Sequence, residues 1–238
     1  MNFFNIFDKI YVLHLDRCID RKVHIENEFK RVSINNYTFF KAIDKEDQRV
    51  FNIMNSNLVH KYPPCFRCRK NNCNCNNKSI TTNQIANWLS FMEIWKDIIN
   101  NNYEYVLIFE DDVKFVNNWN TILKQMYKKI MTIKKNNKNR PSLIRLGWAY
   151  CKDHLKTHSV KFKKGIIKMS NPCHIINNKM AKLLYNSLEK INTTSDVYIH
   201  RDIPLKKKVN EFTIIPPLCY ELSYNSYVKK FKSEIRDK

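Results

Sequence analysis

Residues 103–115 read YEYVLIFEDDVKF, the most informative stretch of the sequence for the fold. Its apolar run at 106–109 is uninterrupted, which is typical of a strand buried on both faces of a sheet. Three acids follow directly: Glu110, Asp111 and Asp112. The whole chain carries a net charge of +20, so these acids are not part of a general acidic surface. We expect them to serve a local purpose at the end of a buried strand.

Segments on both sides of this strand alternate between strand and helix patterns. The clearest helix, 81–101, begins with a capping box formed by Thr81 and Gln84. Further strands are predicted at 10–15, 36–43, 142–147 and 212–217, further helices at 21–32, 119–130 and 178–191, and an acidic turn at 193–202. This alternation predicts an α/β fold with a mostly parallel sheet covered by helices.

The composition limits the class of protein. A chain of 238 residues, 43% of them hydrophobic, can form one large domain with a sizeable core. Asp8 and Lys9 argue against a signal peptide, and no apolar run reaches transmembrane length. We therefore expect a cytoplasmic protein whose eight cysteines are thiols or metal ligands. With Gly147 and Gly165 as its two glycines, the chain cannot contain a Walker loop or a G-x-G-x-x-G motif.

The three acids have the residue types of a cation site. In an open α/β sheet, ligands bind beyond the carboxyl ends of the strands, where these acids lie. Side chains alternate along an extended backbone, so Glu110 and Asp112 project to one side and Asp111 to the other. Neighbouring carboxylates repel each other unless a cation lies between them, and Mg²⁺ or Mn²⁺ would bridge them to substrate phosphates. The alternative is a solvated loop in which one acid caps the next helix.

A second cluster lies in a proline-broken loop at 56–78. Cys65, Cys68, Cys73 and Cys75 follow the pattern C-x2-C-x4-C-x-C. Four thiolates can bind one zinc ion tetrahedrally, although this spacing is not that of a standard zinc finger. Free thiols or a disulfide in a mobile loop are the alternatives.

The positive charge supports a competing class of function. The segment 124–140 contains seven basic and no acidic residues, and the Cys-rich loop is also basic, as in nucleic-acid-binding proteins. However, the basic residues alternate with core positions on helices, as they do on solvated faces. A third alternative is a metal-dependent nuclease or phosphotransferase built on the same acids.

Four ordered blocks resemble glycosyltransferase family 25, which includes bacterial lipooligosaccharide galactosyltransferases and animal procollagen galactosyltransferases. The blocks are YVLHLDRCIDRKVHIENEF, FFKAIDKED, TTNQIANWLSFMEIW and YVLIFEDDVKF, which begin at residues 11, 39, 81 and 105. The residues that match the family pattern are Asp16, Arg17, Asp20, Arg21, Ala42, Asp44, Ile85, Ser90, Ile94, Trp95, Glu110, Asp111 and Asp112. The resemblance is strong over the first half of the chain and weak over the rest.

The resemblance implies a Rossmann-like, A-type glycosyltransferase fold. It implies inverting transfer of a sugar, galactose or glucose, from a UDP-sugar to a hydroxyl group of a glycan or a protein. The cation, Mn²⁺ or Mg²⁺, would be held by Glu110, Asp111 and Asp112. The implied donor-binding residues are Asp16, Arg17, Arg21, Asp44, Gln84 and Ser90.

The C-terminal half supplies the remaining candidates for this activity. Asp196 is the candidate catalytic base, and His200 and Asp202 are candidates to complete the metal site. The residues alone leave open a helix N-terminal acid for Asp196 and an exposed side chain for His200. They equally leave open a solvated helix start for Arg17 and Arg21.

Departures from the family pattern lie beside the expected nucleotide site. Gln84 replaces Glu, Ala86 replaces Gly, Phe91 replaces His, and Lys45 replaces the Gly after Asp44. The loss of a carboxylate and an imidazole leaves open a changed donor or acceptor, or a loss of activity. We expect one domain over 1–238, with the nucleotide-sugar bound by 1–55 and 79–150, a Cys-rich insertion at 56–78, and the acceptor side at 151–238.

Overall fold

The computed structural model of the chain describes residues 3–149, 159–165, 170–223 and 231, so parts of the predicted acceptor side lie outside the described residues. A 3-10 helix, Phe3–Ile6, precedes the first strand. The strands are β1 (Lys9–His14), β2 (Thr38–Lys41), β3 (Tyr105–Glu110), β4 (Val113–Phe115), β5 (Ser142–Arg145), β6 (Lys161–Lys163), β7 (Cys173–Asn177), β8 (Asn210–Ile215) and β9 (Cys219–Glu221). The helices are α1 (Ile19–Val32), α2 (Gln48–Asn55), α3 (Thr82–Asn100), α4 (Trp119–Asn136), α5 (Asn178–Asn186), α6 (Ser195–Val197) and α7 (Ile203–Lys206), and a π-helix, Tyr198–Asp202, joins α6 to α7.

Among the described residues, seven strands form one mixed sheet in the order β2-β1-β3-β7-β5-β8-β6. Strands β2, β1, β3, β5 and β8 run in one direction, and β7 and β6 run against them. The predicted α/β class with a mostly parallel sheet is therefore confirmed, and the arrangement is consistent with a Rossmann-like fold. Within the described ranges, no helix has both the length and the apolar character needed to cross a bilayer.

Helices cover both faces of the sheet, and β3 has buried side chains on each face. Leu107 and Phe109 belong to the core cluster that includes apolar residues of α1 and α4. Val106 and Ile108 belong to the opposite cluster, which includes apolar residues of α3 and α5. Burial of such a side chain contributes roughly 1.5–3 kcal/mol, so the uninterrupted run fixes this strand in the centre of the domain.

The helix α3 begins at the predicted capping box. Thr81 Oγ1 accepts a 3.3 Å hydrogen bond from the Gln84 backbone N–H, and Gln84 Oε1 accepts a 3.0 Å bond from the Thr81 backbone N–H. Two backbone donors at the helix start are thereby satisfied. The Gln84 side chain, which the resemblance assigned to donor binding, is thus also a structural cap.

Residues 195–202 are helical, so the predicted acidic turn is wrong for most of its length. The backbone N–H of Tyr198 donates to the carbonyl of Thr194 at 3.0 Å, and the Tyr198 ring packs 4.8 Å from the Trp88 ring. Tertiary packing against α3 therefore overrides the local preference of threonine, serine and aspartate for turns.

Strands β4, β7 and β9 escape the sequence patterns. β7 contains five buried residues directly before α5, and so short a buried run has no period that separates a strand from a helix. β4 and β9 have three residues each and form a separate antiparallel pair, in which Val113 lies opposite Glu221. This pairing brings Glu221 next to the turn that carries Asp111 and Asp112.

Candidate active site

A pocket of about 330 Å³ lies at the carboxyl ends of β1 and β3. Ligands bind at this edge of open α/β sheets, and the volume is within the range of small-molecule sites. We call it the carboxylate pocket because five of its lining residues carry carboxylates: Glu110, Asp111, Asp112, Asp196 and Glu221. The start of α1, the first half of α3 and residues 170–171 form other parts of its wall.

Asp111 is held by two basic side chains. One carboxylate oxygen lies 2.7 Å from His14 Nδ1, and the other accepts a 2.9 Å hydrogen bond from the Arg21 guanidinium. All three side chains are largely buried. Because both oxygens of Asp111 are engaged, this acid is less available to a cation than its two neighbours.

Asp112 has one engaged and one open oxygen. Its Oδ2 accepts a hydrogen bond from the Ser223 hydroxyl. Its Oδ1 is buried and has no protein hydrogen-bond partner among the described residues. A buried anionic oxygen without a donor is costly, so this atom is suited to a cation or to a ligand donor.

The acids of the pocket disfavour one another's ionisation. Burial raises the pKa of Glu110 well above its ordinary range, and the charges of Asp112, Glu221, Asp196 and Asp111 raise it further. Burial also raises the pKa of Asp112, although the Arg21 charge partly opposes this effect. A positive charge inside the pocket would relieve both costs.

The donor set therefore fits a hard divalent cation. The available ligands are carboxylate oxygens, which Mg²⁺ and Mn²⁺ prefer. In the described part of the chain, no three carboxylates have oxygens within 4.8 Å of one another, so Glu110, Asp111 and Asp112 do not form a ready three-ligand set. Mg²⁺ commonly takes one or two protein carboxylates together with substrate phosphates and water, and Glu110 and Asp112 suit that arrangement.

The residues predicted at the start of α1 have different positions. Arg17 lines the pocket and donates a 2.6 Å hydrogen bond to Asp44. Asp44 itself and Asp16 are not among the lining residues. Asp16 has a side chain 64% exposed, and it pairs with Lys41 at 2.6 Å. Arg21, in contrast, is buried and bound to Asp111, so it is not part of a solvated helix start.

Ser90 lines the pocket, and its hydroxyl both accepts and donates a hydrogen bond within the protein. Ser90 Oγ accepts from the Ile43 backbone N–H at 2.8 Å and donates to the Ala86 carbonyl at 2.7 Å. These bonds fix the chain after β2 against α3. Ser90 thus shapes the pocket, and its hydroxyl has little capacity left for a ligand.

The departures from the family pattern are spread over two environments. Gln84, Ala86 and Lys45 line the carboxylate pocket. Phe91 does not; it is fully buried, and its ring lies 6.4 Å from the Trp95 ring and 6.1 Å from the His174 ring. The expectation that this position faces the nucleotide site is therefore not supported by the geometry, which places Phe91 in the core.

Asp196 lines the pocket from the first turn of α6. Its carboxylate accepts a hydrogen bond from the Thr194 hydroxyl. It is also close enough to contribute to the raised pKa of Glu110. The position suits a base that faces a bound substrate. It equally suits an acid that is stabilised by the helix dipole at the start of α6.

His200 is buried beside the pocket wall and does not line the pocket. Its Nε2 lies 2.6 Å from Asn171 Oδ1, and its ring lies 5.3 Å from that of His174. Burial lowers its pKa well below the ordinary value, and the charge of Arg145 lowers it further, so the imidazole is neutral. The alternative that His200 is exposed is therefore wrong. Among the described residues, His200 also belongs to no group of three or more side chains that could hold a metal ion.

Arg145 and Glu221 are residues that the sequence patterns did not identify. Arg145, at the end of β5, is buried and donates a 2.6 Å hydrogen bond to the Ser170 carbonyl. Burial lowers its pKa to about 10, while Asp196, Glu211 and Glu221 act in the opposite direction. Glu221 lies in a three-residue strand outside every resemblance block, so only its pairing with β4 reveals it.

The four cysteines of the loop converge at a separate place. The sulfur atoms of Cys65, Cys68, Cys73 and Cys75 all lie within 4.8 Å of one another, and none forms a disulfide. None of the four lines the carboxylate pocket, although Arg67, between the first two, does.

Two comparisons with known proteins bear on identity. The sequence profile of the family described as "Glycosyltransferase family 25 (LPS biosynthesis protein)" matches residues 7–199. The chain is also 23% identical, over 129 residues, to a Bos taurus protein named "Probable inactive glycosyltransferase 25 family member 3". That match covers 52% of this chain and 20% of the relative, so the chain spans about a fifth of the relative's length. The family match extends from before β1 through α6, and the chain belongs to glycosyltransferase family 25.

Proposed function

We propose that the chain is a divalent-cation-dependent, inverting glycosyltransferase that uses a UDP-sugar and a hydroxyl acceptor on a glycan or a protein. The observation that carries the proposal is the buried, open Oδ1 of Asp112 beside Glu110, at the end of β3. An acidic pocket in a strongly basic chain suits a cation bound together with an anionic ligand. Family membership favours sugar transfer over the nuclease or phosphotransferase alternative.

Glu110 and Asp112 would hold Mn²⁺ or Mg²⁺, with Glu221 as a neighbouring carboxylate. The cation supplies Lewis-acid stabilisation of the charge that develops on the departing diphosphate. Arg17, whose side chain is 46% exposed and bonded to Asp44 at the wall of the pocket, would donate charge-assisted hydrogen bonds to a bound phosphate. Arg21 has a positioning role, because it holds Asp111 and adds positive charge behind the acids.

Asp196 is the proposed base. An inverting transfer needs a group that accepts the proton of the acceptor hydroxyl while its oxygen attacks the anomeric carbon from the face opposite the diphosphate. Asp196 enters the pocket from a different element than Glu110 and Asp112, as a base on the acceptor side requires. Galactose and glucose are the proposed sugars, on the family resemblance alone.

A panel of nucleotide-sugars, each with and without Mn²⁺, tests the proposal. We expect UDP-sugars to raise the melting temperature only when Mn²⁺ or Mg²⁺ is present. Hydrolysis or transfer is measured in parallel, because the bovine relative is named as inactive and Gln84 and Ala86 alter this pocket. If no nucleotide-sugar stabilises the protein in a cation-dependent way, the proposal is wrong.

The same preparation tests the nucleic-acid alternative. A salt titration of binding to random DNA should give weak affinity, because the lysines at 124, 128, 129 and 135 lie on the exposed face of α4, as on an ordinary solvated helix. A sub-micromolar affinity with a steep salt dependence would instead favour a nucleic-acid-binding function.

A further inference from the structure

The Cys-rich loop brings four thiols together in a way that a short backbone turn explains. The backbone N–H of Cys65 donates to the carbonyl of Lys70 at 2.9 Å, and that of Arg69 donates to the carbonyl of Cys65 at 2.8 Å. Arg69 adopts a left-handed conformation with φ of 64°. These bonds close a tight turn over 65–70 that places the sulfurs of Cys65 and Cys68 on one side.

The second pair of cysteines returns to this turn through two further bonds. The backbone N–H of Phe66 donates to the carbonyl of Lys78 at 3.1 Å, and Arg67 Nε donates to the carbonyl of Asn77 at 3.3 Å. The segment that carries Cys73 and Cys75 is therefore tied to the first turn at its far end.

The loop has almost no apolar core of its own. Cys65 and Phe66 are buried, but no residue from 67 to 79 is. A short segment without a core needs a covalent or metal link to keep one conformation. The convergent thiols are the groups in this segment that can supply such a link.

The dimensions and charges of the thiol cluster fit one metal ion. Zinc binds thiolates at about 2.3 Å in a tetrahedron, which gives sulfur–sulfur distances of about 3.8 Å. The four sulfurs already lie within 4.8 Å of one another, so contraction by about an ångström completes the tetrahedron. A zinc ion with four thiolates has a net charge of −2, and the stretch 65–78 contains four basic and no acidic residues to balance it.

We propose that Cys65, Cys68, Cys73 and Cys75 bind one structural zinc ion. Each thiol releases its proton to solvent, and each sulfur forms one bond to zinc, so no oxidation is involved. Four protein ligands leave no position for water, which makes the site structural rather than catalytic. Soft sulfur ligands also separate it from the oxygen ligands of the carboxylate pocket.

The zinc site has a consequence for the pocket, and this second step rests on the proposed function. Arg67 lies between the first two zinc ligands and lines the carboxylate pocket. Its guanidinium is held 5.1 Å from the ring centre of Phe66 and bonded to Asn77. Zinc thus fixes the segment that presents an arginine to the bound diphosphate, where charge-assisted hydrogen bonds are strong.

The first experiment measures metal content and does not depend on any donor. Protein purified under reducing conditions, without a metal-binding tag, should contain about one zinc per chain. Cobalt(II) in its place should give the visible absorption of a tetrahedral thiolate site. Cys68→Ser combined with Cys73→Ser should lose the metal, whereas Cys18→Ser, a cysteine outside the loop, should retain it.

Two outcomes would overturn the proposal of a zinc site. The site would be excluded if the four thiols of Cys65, Cys68, Cys73 and Cys75 still react with a thiol reagent after incubation with zinc. It would also be excluded if the native mass is lower than that of the reduced chain by the four hydrogens lost in two disulfides. The cobalt spectrum of the unmutated protein decides the question even if the double variant does not fold.

The second experiment isolates Arg67. Arg67→Gln should keep the zinc and weaken Mn²⁺–UDP binding by about tenfold, the loss expected for one hydrogen bond to a charged group. Arg69→Gln, in the same turn but outside the pocket, is the matched control and should bind normally. Equal UDP affinities for the two variants would refute the proposed role of Arg67 and would leave the zinc site unaffected. Failure of the unmutated protein to bind UDP would refute the proposed function and leave the zinc site standing.

Discussion

Arg21 lies 2.9 Å from one carboxylate oxygen of Asp111, and this ion pair is buried at the wall of the carboxylate pocket. His14 lies 2.7 Å from the other oxygen. Burial disfavours the charged guanidinium, but Asp112 and Asp111 outweigh it and raise the pKa of Arg21. The pair therefore joins α1 to the end of β3 and compensates part of the negative charge of the pocket.

Loss of this ion pair should lower the stability of the protein to unfolding. Arg21→Met leaves the Asp111 carboxylate buried with less compensation, and we expect a loss of about 3–5 kcal/mol in the free energy of unfolding. Urea denaturation measures it. Adding Asp111→Asn should restore part of the loss, because the uncompensated charge is removed. A double variant less stable than the single one would mean that Asp111 has another structural role.

Asp112→Asn should separate cation binding from folding. The amide keeps the shape and an acceptor for Ser223 but removes the anion that a hard cation needs. We expect an unchanged or higher melting temperature without cation, because burial raises the pKa of Asp112 and a neutral group fits there more easily.

With saturating Mn²⁺ and UDP, the unmutated protein should gain about 2.7 kcal/mol at one hundred times the dissociation constant, and the Asp112→Asn variant should gain almost nothing. Glu26→Gln, which alters an exposed acid on α1, is the control and should behave like the unmutated protein. Full cation-dependent stabilisation of Asp112→Asn would show that Asp112 is not a ligand.

Glu110 should make the cation-free protein less stable as the pH rises. Its folded pKa lies above the ordinary value of 4.5, so the folded protein binds more protons than the unfolded chain between these two values. The cost of Glu110 therefore begins near pH 4.5 and is complete above its folded pKa. Glu110→Gln removes this cost, and its stability advantage should grow with pH in that interval.

Melting temperatures of the two proteins in a chelator, compared at each pH, measure this effect. The comparison is needed because burial lowers the pKa of His174 to about 3 and that of His200 well below its ordinary value. These two histidines stabilise the fold above pH 6.5 and lose that contribution as the pH falls, opposite in sign to Glu110. A difference in melting temperature that does not change with pH would mean that the folded protein does not raise the pKa of Glu110.

Restoring two family residues, one at a time, should lower stability by different amounts. Gln84→Glu keeps an oxygen that can accept from the Thr81 N–H, but its charge joins the carboxylates of the pocket, so we expect a loss of about 1 kcal/mol without a cation. Phe91→His places a smaller, polar ring in a fully buried site and should cost about 2–3 kcal/mol. Thermal unfolding and UDP binding are measured for both. An unaffected Phe91→His variant with improved UDP binding would contradict the core position of residue 91.

Local sequence patterns were enough to predict the class of fold and the edge of the sheet that carries the site. The apolar run at 106–109 can only be satisfied by burial on both faces, and the acids after it must then lie at the carboxyl end of a central strand. Thr81 and Gln84 act within four residues, so their capping box was also predictable. These features depend on short-range periodicity and hydrogen bonding.

Tertiary structure alone decided which acids are open to a ligand. Asp111 is engaged because His14 and Arg21 reach it across about ninety positions of sequence, and no local pattern encodes that contact. Glu221 joins the pocket only because β9 pairs with β4. Long-range packing, which depends on the whole core, also turned residues 195–202 into a helix and placed Phe91 away from the pocket.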